Sequence, residues 1–120
     1  MTNKELIQKF YLEDGIRNVA VLSKILHDEV VLEWSSSDGQ LTYSKEAILN
    51  LAKELKQNYS NSIVEITHIL EDENQVAIKY NHKVATIENP SEIIPIARFM
   101  VFWEFLDNKL FRGYQISQPV

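Results

Sequence analysis

Four segments in the second half of the chain alternate between apolar and polar residues. Their limits are residues 62–71, 75–87, 94–106 and 110–117. A period of two is typical of a β-strand with one buried face. Short stretches such as 72–74 and 107–108 separate the segments, and strands joined by tight turns must be antiparallel. The chain must therefore fold around an antiparallel sheet whose apolar face needs a cover.

Helical spacing in the first half of the chain predicts that cover. Thr2 and Glu5 have the spacing of a capping box at the start of a first helix. Asn18 is a candidate cap for a second, shorter helix, and Ser44 for a third. The third helix has the clearest apolar stripe. Its members are Ile48, Leu51, Ala52, Leu55 and Tyr59.

A strand is also predicted between the second and third helices. Residues 30–34 are rich in β-branched side chains and are followed by a turn-like cluster at 35–39. The sequence leaves open whether the segment near Leu41 pairs as a further strand. The predicted order is α-α-β-β-α-β-β-β-β, an α+β fold in which a cone-shaped, curved antiparallel sheet wraps around the N-terminal helices.

Length and composition predict one globular domain over residues 1–120. Hydrophobic residues make up 45% of the chain and charged residues 24%, which is ordinary for a globular protein and argues against disorder. A net charge of −5 argues against a nucleic-acid partner. No cysteine is present, so disulfides and thiolate metal sites are excluded. We predict no metal site and no cofactor.

The apolar residues are nowhere continuous enough for a membrane segment. No apolar stretch reaches 18 residues, and the first residues contain no run of signal-peptide length. The sequence therefore predicts a cytoplasmic protein without a membrane partner.

Several stretches resemble the SnoaL-like members of the nuclear transport factor 2-like superfamily. They are residues 6–11, 26–33, 44–48 and 105–110. The resemblance covers nearly the whole chain and rests on the ordered set rather than on one motif. It implies a conical fold, frequent dimers and a central pocket. It implies no particular function, because the scaffold hosts isomerases, cyclases, dehydratases, epoxide hydrolases and transport factors.

The resemblance also implies where the catalytic groups of those enzymes would lie. Ketosteroid isomerases use a carboxylate base, a tyrosine and a protonated aspartate. The corresponding positions here are Trp34, Phe10 and Val101, which cannot perform that chemistry. The Asp–Arg–Asp set of limonene epoxide hydrolases fails as well, since Arg98 is followed two residues later by Met100.

A SnoaL-type cyclase would need an acid in the pocket. The acid inside the long strand is Glu104, and alternation places it opposite to Val101 and Trp103. The same alternation puts Tyr80 and His82 on the inner face. His82 is a candidate general acid or base. The alternative is a polar wall residue that is hydrogen-bonded to Tyr80 or to the backbone.

The other two histidines are predicted to be structural. His27 lies at a helix end, where a cation is favourable. His68 is expected to share a strand face with Val64, Ile66 and Leu70. Three histidines with no shared spacing do not indicate a metal site.

The predicted pocket is apolar with a few polar groups. Its residues are Phe10, Trp34, Tyr80, His82, Val101, Trp103 and Gln115. The leading hypothesis is a protein that binds a small apolar or aromatic molecule. A second is an isomerase-, cyclase- or dehydratase-type enzyme, with His82 as acid–base group and Tyr80 or Tyr11 as hydrogen-bond donor. A third is an interaction module without catalysis, whose interior is filled.

The outer face of the same strands is unusually apolar. Arg98, Met100, Phe102 and Glu104 are expected to point outward, beside Leu110, Arg112, Tyr114 and Ile116 on the last strand. An antiparallel sheet normally turns polar residues to water, so this face predicts a partner surface. Two such faces packed back to back would form an isologous homodimer. The predicted dimer face consists of Arg98, Met100, Phe102 and Tyr114.

Overall fold

The computed structural model describes residues 1–120, and its elements follow the predicted order. The helices are α1 (Asn3–Leu12), α2 (Val19–Ile25) and α3 (Lys45–Asn58), and a 3-10 turn spans Gly15–Arg17. The strands are β1 (Leu26–Ser36), β2 (Gly39–Tyr43), β3 (Tyr59–Asp72), β4 (Gln75–Thr86), β5 (Ile94–Leu106) and β6 (Lys109–Pro119). The α+β class is confirmed. The segment near Leu41 is a strand, with Leu41 opposite Trp34.

The helices begin where their caps predict. Thr2 Oγ1 accepts a hydrogen bond from the Glu5 backbone N–H at 3.1 Å, and the Glu5 carboxylate accepts one from Thr2 N at 3.0 Å. Asn18 and Ser44 cap α2 and α3 in the same way, with their side chains accepting from Val21 N and Ala47 N. Local sequence therefore determines all three helix starts.

Six strands form one curled, mixed sheet in the order β2-β1-β6-β5-β4-β3. The consecutive strands β3 to β6 are antiparallel, as their short turns require. One strand pair departs from the predicted antiparallel arrangement: β1 and β6 lie side by side and run parallel. No tight turn links these two strands, so their direction depends on how the helices cross the sheet.

A bulge in β3 corrects the predicted position of His68. Ile66 lies opposite Tyr80 and His68 lies opposite Lys79, so Thr67 is the extra residue. Beyond the bulge, the inner and outer faces of β3 change places. His68 and Leu70 are exposed, so they lie on β3 with Val64 and Ile66 as predicted but do not share a face with them.

A second bulge, in β6, corrects one neighbour of the predicted outer face. Glu104 pairs with Arg112 and Phe105 pairs with Leu110, which leaves Phe111 as the extra residue. Leu110 therefore lies in the core and is fully buried instead of pointing outward. A bulge in one strand cannot be read from alternation, because one inserted residue reverses every face that follows.

The core lies between the helices and the inner face of the sheet. Eighteen buried residues form one cluster that includes Ile7 of α1, Leu22 of α2, Ala52 of α3 and Val76 of β4. Each helix contributes one apolar stripe to this cluster, and the curl of the sheet brings the stripes together. None of the helices is long and apolar enough to span a bilayer.

Candidate active or binding cavity

The interior is not completely filled. A cavity of about 210 Å³ lies between the helices and the inner face of the sheet. It is lined by 17 residues, 15 of them hydrophobic, from all three helices and from β1, β4, β5 and β6. The two remaining lining residues are His82 and Gln115. This pattern of many apolar walls and few polar groups is typical of a small-molecule site.

Six of the seven predicted pocket residues line this cavity. They are Phe10, Trp34, Tyr80, His82, Trp103 and Gln115. The seventh, Val101, is buried on β5 between Ile78 and Gln115 but lies outside the cavity wall. The curl of the sheet thus brings together residues from α1 and four strands that are far apart in the sequence.

Aromatic rings form much of the cavity wall. Tyr80 and Phe99 are stacked, with ring centroids 4.9 Å apart and an interplanar angle of 7°. Trp34 lies against Phe99 at 6.0 Å, and Tyr11 lies against Tyr80 at 5.1 Å. These rings are held by their neighbours, so they offer flat, pre-ordered surfaces to a ligand.

His82 is buried, with 3% of its surface exposed, and its Nε2 lies 2.7 Å from the Ser62 hydroxyl. The predicted partners, Tyr80 or the backbone, are wrong. Burial lowers the pKa of the imidazole below its ordinary value of 6.5. The nearby Asp14 carboxylate opposes this shift of the pKa, and the Arg17 guanidinium adds to it. The ring is therefore neutral at pH 7.

Sequence reasoning missed Ser62 as a partner of the site. Val64 is the residue directly opposite His82, and Ser62 lies two positions along β3 on the same inner face. Ser62 is buried, which is unusual for an unpaired serine. The sequence did contain a signal for Ser62: it is a polar residue at an inward-facing position of an alternating strand.

Three polar groups of the cavity wall have no partner in the protein. The Tyr80 hydroxyl, His82 Nδ1 and the Gln115 amide make no hydrogen bond within the chain, yet no fully enclosed side-chain nitrogen or oxygen is left unpaired. These atoms must therefore border open space. All three residues line the cavity, so the cavity is the open space that these polar groups reach.

Tyr11, Trp34 and Trp103 carry the other polar groups at the cavity wall. Trp103 Nε1 donates to the Tyr11 hydroxyl at 3.0 Å, and Trp34 Nε1 donates to Ser117 Oγ at 2.8 Å. Burial raises the pKa of Tyr11 to about 12 and that of Tyr80 well above 10. Both hydroxyls therefore keep their protons at neutral pH.

A buried arginine, Arg17, lies near His82 and is hydrogen-bonded to its neighbours. Arg17 donates from Nε and Nη2 to the Asp14 carboxylate, at 2.7 to 3.0 Å, and from Nη1 to the carbonyl of Tyr59. The bidentate pair with Asp14 orients the guanidinium, and the bond to the Tyr59 carbonyl connects the 3-10 turn to the start of β3. It was not predicted from the sequence, because neither residue belongs to an alternating segment.

The cavity wall contains no carboxylate and no lysine or arginine. Glu104 and Arg98 lie opposite Gln75 and Asn81 on β4, and neither lines the cavity. No group of three or more histidine and acidic side chains could hold a metal ion. The polar side chains of the wall are two tyrosines, one neutral histidine and one glutamine amide, beside the two tryptophan indoles.

The predicted dimer face is exposed on the opposite side of the sheet. Met100 is 60% exposed, and Phe102, Tyr114 and Arg98 are exposed beside it. Ile116, at 65%, belongs to the same apolar face. The rings of Phe102 and Tyr114 lie 6.2 Å apart. A shallow groove of about 510 Å³ runs along this face.

Sequence comparison gives no relative, whereas the structure has many. No protein-family model matches the chain, and no curated protein is similar to it in sequence. IdmH from Streptomyces antibioticus, a candidate polyketide cyclase, superposes with a TM-score of 0.73 at 12% identity, over 94% of this chain and 89% of that one.

Two further structures are similar. A candidate SnoaL-like polyketide cyclase from Shewanella denitrificans gives a TM-score of 0.73 at 13% identity, over 98% of this chain and 91% of that one. A nuclear transport factor 2-like protein of unknown function from Burkholderia pseudomallei gives 0.67 at 11% identity, over 96% and 90%. At such identities the likeness concerns the fold alone.

Proposed function

We propose that this chain, which has the SnoaL-like, nuclear transport factor 2-like fold, binds a small, flat and largely apolar molecule in its central cavity. The observation that supports this most strongly is the combination of stacked aromatic walls with polar atoms that have no partner in the protein. Groups that only filled a core would leave no space and no unpaired donors.

The volume of the cavity limits the size of the ligand. An apolar cavity of about 150 Å³ accommodates benzene, and typical drug-sized pockets begin at roughly 300 Å³. At about 210 Å³ the cavity fits one ring with a substituent or two fused rings. A ligand much larger than this would require the walls to move apart.

Indane, a fused two-ring hydrocarbon, is a suitable probe for this proposal. Titration of indane into the 15N-labelled protein should shift the Trp34 and Trp103 indole N–H signals in two-dimensional NMR spectra. Leu55→Trp fills the cavity from α3 and should weaken binding about tenfold or more, because the ring then occupies the ligand space.

Leu12→Trp is the matched control. Leu12 is exposed on α1 and does not line the cavity, so the same substitution there should leave indane binding unchanged. The proposal fails if indane shifts neither indole signal, or if Leu55→Trp binds it as tightly as the wild type.

An enzyme of isomerase, cyclase or dehydratase type is the alternative use of the same cavity. His82 supports it, because its Nδ1 borders the cavity and its neutral ring could exchange a proton near pH 7. His82→Gln should then abolish turnover of a substrate that the variant still binds. Retained turnover would exclude His82 as the acid–base group.

We also propose that the outer face of β5 and β6 forms a homodimer. Its exposed apolar residues Met100, Phe102, Tyr114 and Ile116 form a continuous patch of the kind that marks partner surfaces. Analytical ultracentrifugation at micromolar concentration should detect a dimer, and Met100→Glu should convert it into a folded monomer. Leu106→Glu, also exposed on β5 but absent from the groove on this face, is the control. A monomeric wild type would contradict the proposal.

A further inference from the structure

The hydrogen bond between Ser62 and His82 determines which ring nitrogen of His82 carries the proton. Neutral imidazole has one donor nitrogen and one acceptor nitrogen, so the partner of Nε2 decides the state of Nδ1. The 2.7 Å contact with Ser62 Oγ can run in either direction. If Nε2 donated to Ser62, the serine hydroxyl would need a different acceptor for its own hydrogen.

The protein offers no such acceptor. Ser62 Oγ makes a single hydrogen bond, to His82, and Ser62 is buried. A buried hydroxyl without an acceptor is unfavourable, because it loses its hydrogen bond to water. When Ser62 donates to Nε2 instead, both atoms are satisfied, and the ring proton resides on Nδ1 at the cavity wall.

We infer that Ser62 is a positioning residue that holds His82 as the Nδ1–H tautomer, so that His82 presents a hydrogen-bond donor to the cavity. In this state Nδ1 cannot act as a general base, since it already carries a proton. A ligand at this position must supply an acceptor, such as a carbonyl oxygen.

The neighbouring tyrosines lead to the same ligand chemistry. Tyr11 accepts from Trp103 Nε1, and its own hydroxyl hydrogen has no acceptor in the chain. The Tyr80 hydroxyl makes no hydrogen bond within the chain and is not fully enclosed. Because the wall contains no carboxylate, these donors have no strong acceptor within the protein. The inference rests on the proposed function and specifies it: the ligand is a neutral, flat molecule with an acceptor oxygen.

The tautomer can be measured without any ligand. Long-range 1H–15N NMR spectra of the wild-type protein at pH 7.5 identify which nitrogen of each histidine is protonated, and His82→Gln assigns the His82 signals by their loss. We expect His82 with its proton on Nδ1. A proton on Nε2 overturns the inference, whatever the protein binds.

The serine variant tests the positioning role. Ser62→Ala should release His82 into a mixture of tautomers, and Ser62→Thr, which keeps the hydroxyl, should restore the Nδ1–H form. Ser60→Ala is the matched control, because Ser60 lies two residues earlier and donates to the carbonyls of Ala85 and Thr86. An unchanged tautomer in Ser62→Ala overturns the role of Ser62.

The ligand class is tested with a matched pair of probes. 1-Indanone differs from indane by a single carbonyl oxygen. The ratio of indanone affinity to indane affinity should fall about two- to tenfold in Ser62→Ala, the range expected for one hydrogen bond. An unchanged ratio overturns the donor role of His82. Failure of both probes to bind the wild type refutes the proposed function, while the tautomer measurement still decides the inference.

Discussion

The two ends of the inner face of the sheet are built from the same strands but differ in how they are filled. At one end, Val76, Ile78 and Val101 are buried and do not line the cavity. We call these residues the closed end. Two to six residues along the same strands, Tyr80, His82 and Phe99 border the cavity, and we call these three the open end. Alternation places both sets inward.

The difference lies in what covers each end. Small β-branched side chains at the closed end pack directly against the core. At the open end, large rings stack on one another and the polar atoms of Tyr80 and His82 face open space. Stability should therefore reside at the closed end and ligand contact at the open end, a division that is common where a rigid scaffold supports a site.

The two ends should differ most in how much stability is lost when an isoleucine side chain is truncated at each of them. Ile78→Ala should lower the free energy of unfolding by about 2–5 kcal/mol, because it creates a cavity in a filled core. Ile96→Ala, at the half-buried cavity wall, should cost about 1 kcal/mol. Urea denaturation of both variants measures the difference, and equal losses would show that the two ends are equally packed.

The hydroxyls of Tyr11 and Tyr80 can be compared directly, because one has a partner in the chain and the other has none. Tyr11→Phe leaves the buried Trp103 Nε1 without its acceptor and should cost about 1–3 kcal/mol. Its measurement is the urea midpoint of the variant, together with loss of the hydrogen-bonded Trp103 indole signal in NMR spectra. A midpoint equal to that of the wild type would mean that water replaces the hydroxyl.

A smaller effect is expected from the pH dependence of stability. Since the pKa of His82 is lowered in the folded state, the unfolded chain binds more protons as the pH falls below 6.5. The free energy of unfolding should therefore decrease between pH 7.5 and pH 5.5. His82→Gln should reduce this decrease, because it removes the imidazole that burial keeps neutral in the folded state. Urea denaturation of both proteins at several pH values measures this dependence. An equal decrease of the free energy of unfolding in the wild type and in His82→Gln would contradict the lowered pKa.

The smallest effect is expected at the open end itself. Tyr80→Phe removes a hydroxyl that has no partner in the chain, so stability should change by less than about 0.5 kcal/mol. Thermal and urea unfolding of Tyr80→Phe, compared with Tyr11→Phe, test whether one hydroxyl supports the fold and the other does not. A loss of the same size in both variants would place the Tyr80 hydroxyl in the core.

Much of the site could be predicted because alternation assigns side chains to faces. Tyr80, His82, Trp103 and Gln115 were expected inward and line the cavity. Val101 was also expected inward and is buried, but it does not line the cavity, although Phe99 and Trp103 on either side of it do. Periodicity decides which face a residue occupies and contains no information on which residues of that face border a gap.

The errors have a common origin in inserted residues. The extra residue Thr67 turns His68 and Leu70 outward, and the extra residue Phe111 puts Leu110 on the opposite face from Arg112, so that Leu110 is buried. Both bulges accommodate the curl of the sheet, which depends on packing against the helices. No local sequence pattern predicts either bulge.

Sequence alone was enough to predict the helix starts, the strand order along the chain and the apolar surface that each element must bury. These follow from interactions within a few residues: caps, turns and the two periods. Three-dimensional packing was needed to establish that β1 lies parallel to β6, that an opening remains between Tyr80 and the helices, and that Ser62 is hydrogen-bonded to His82. Those features depend on contacts between residues distant in the chain, whose geometry is set by the packing of the whole domain rather than by any one segment.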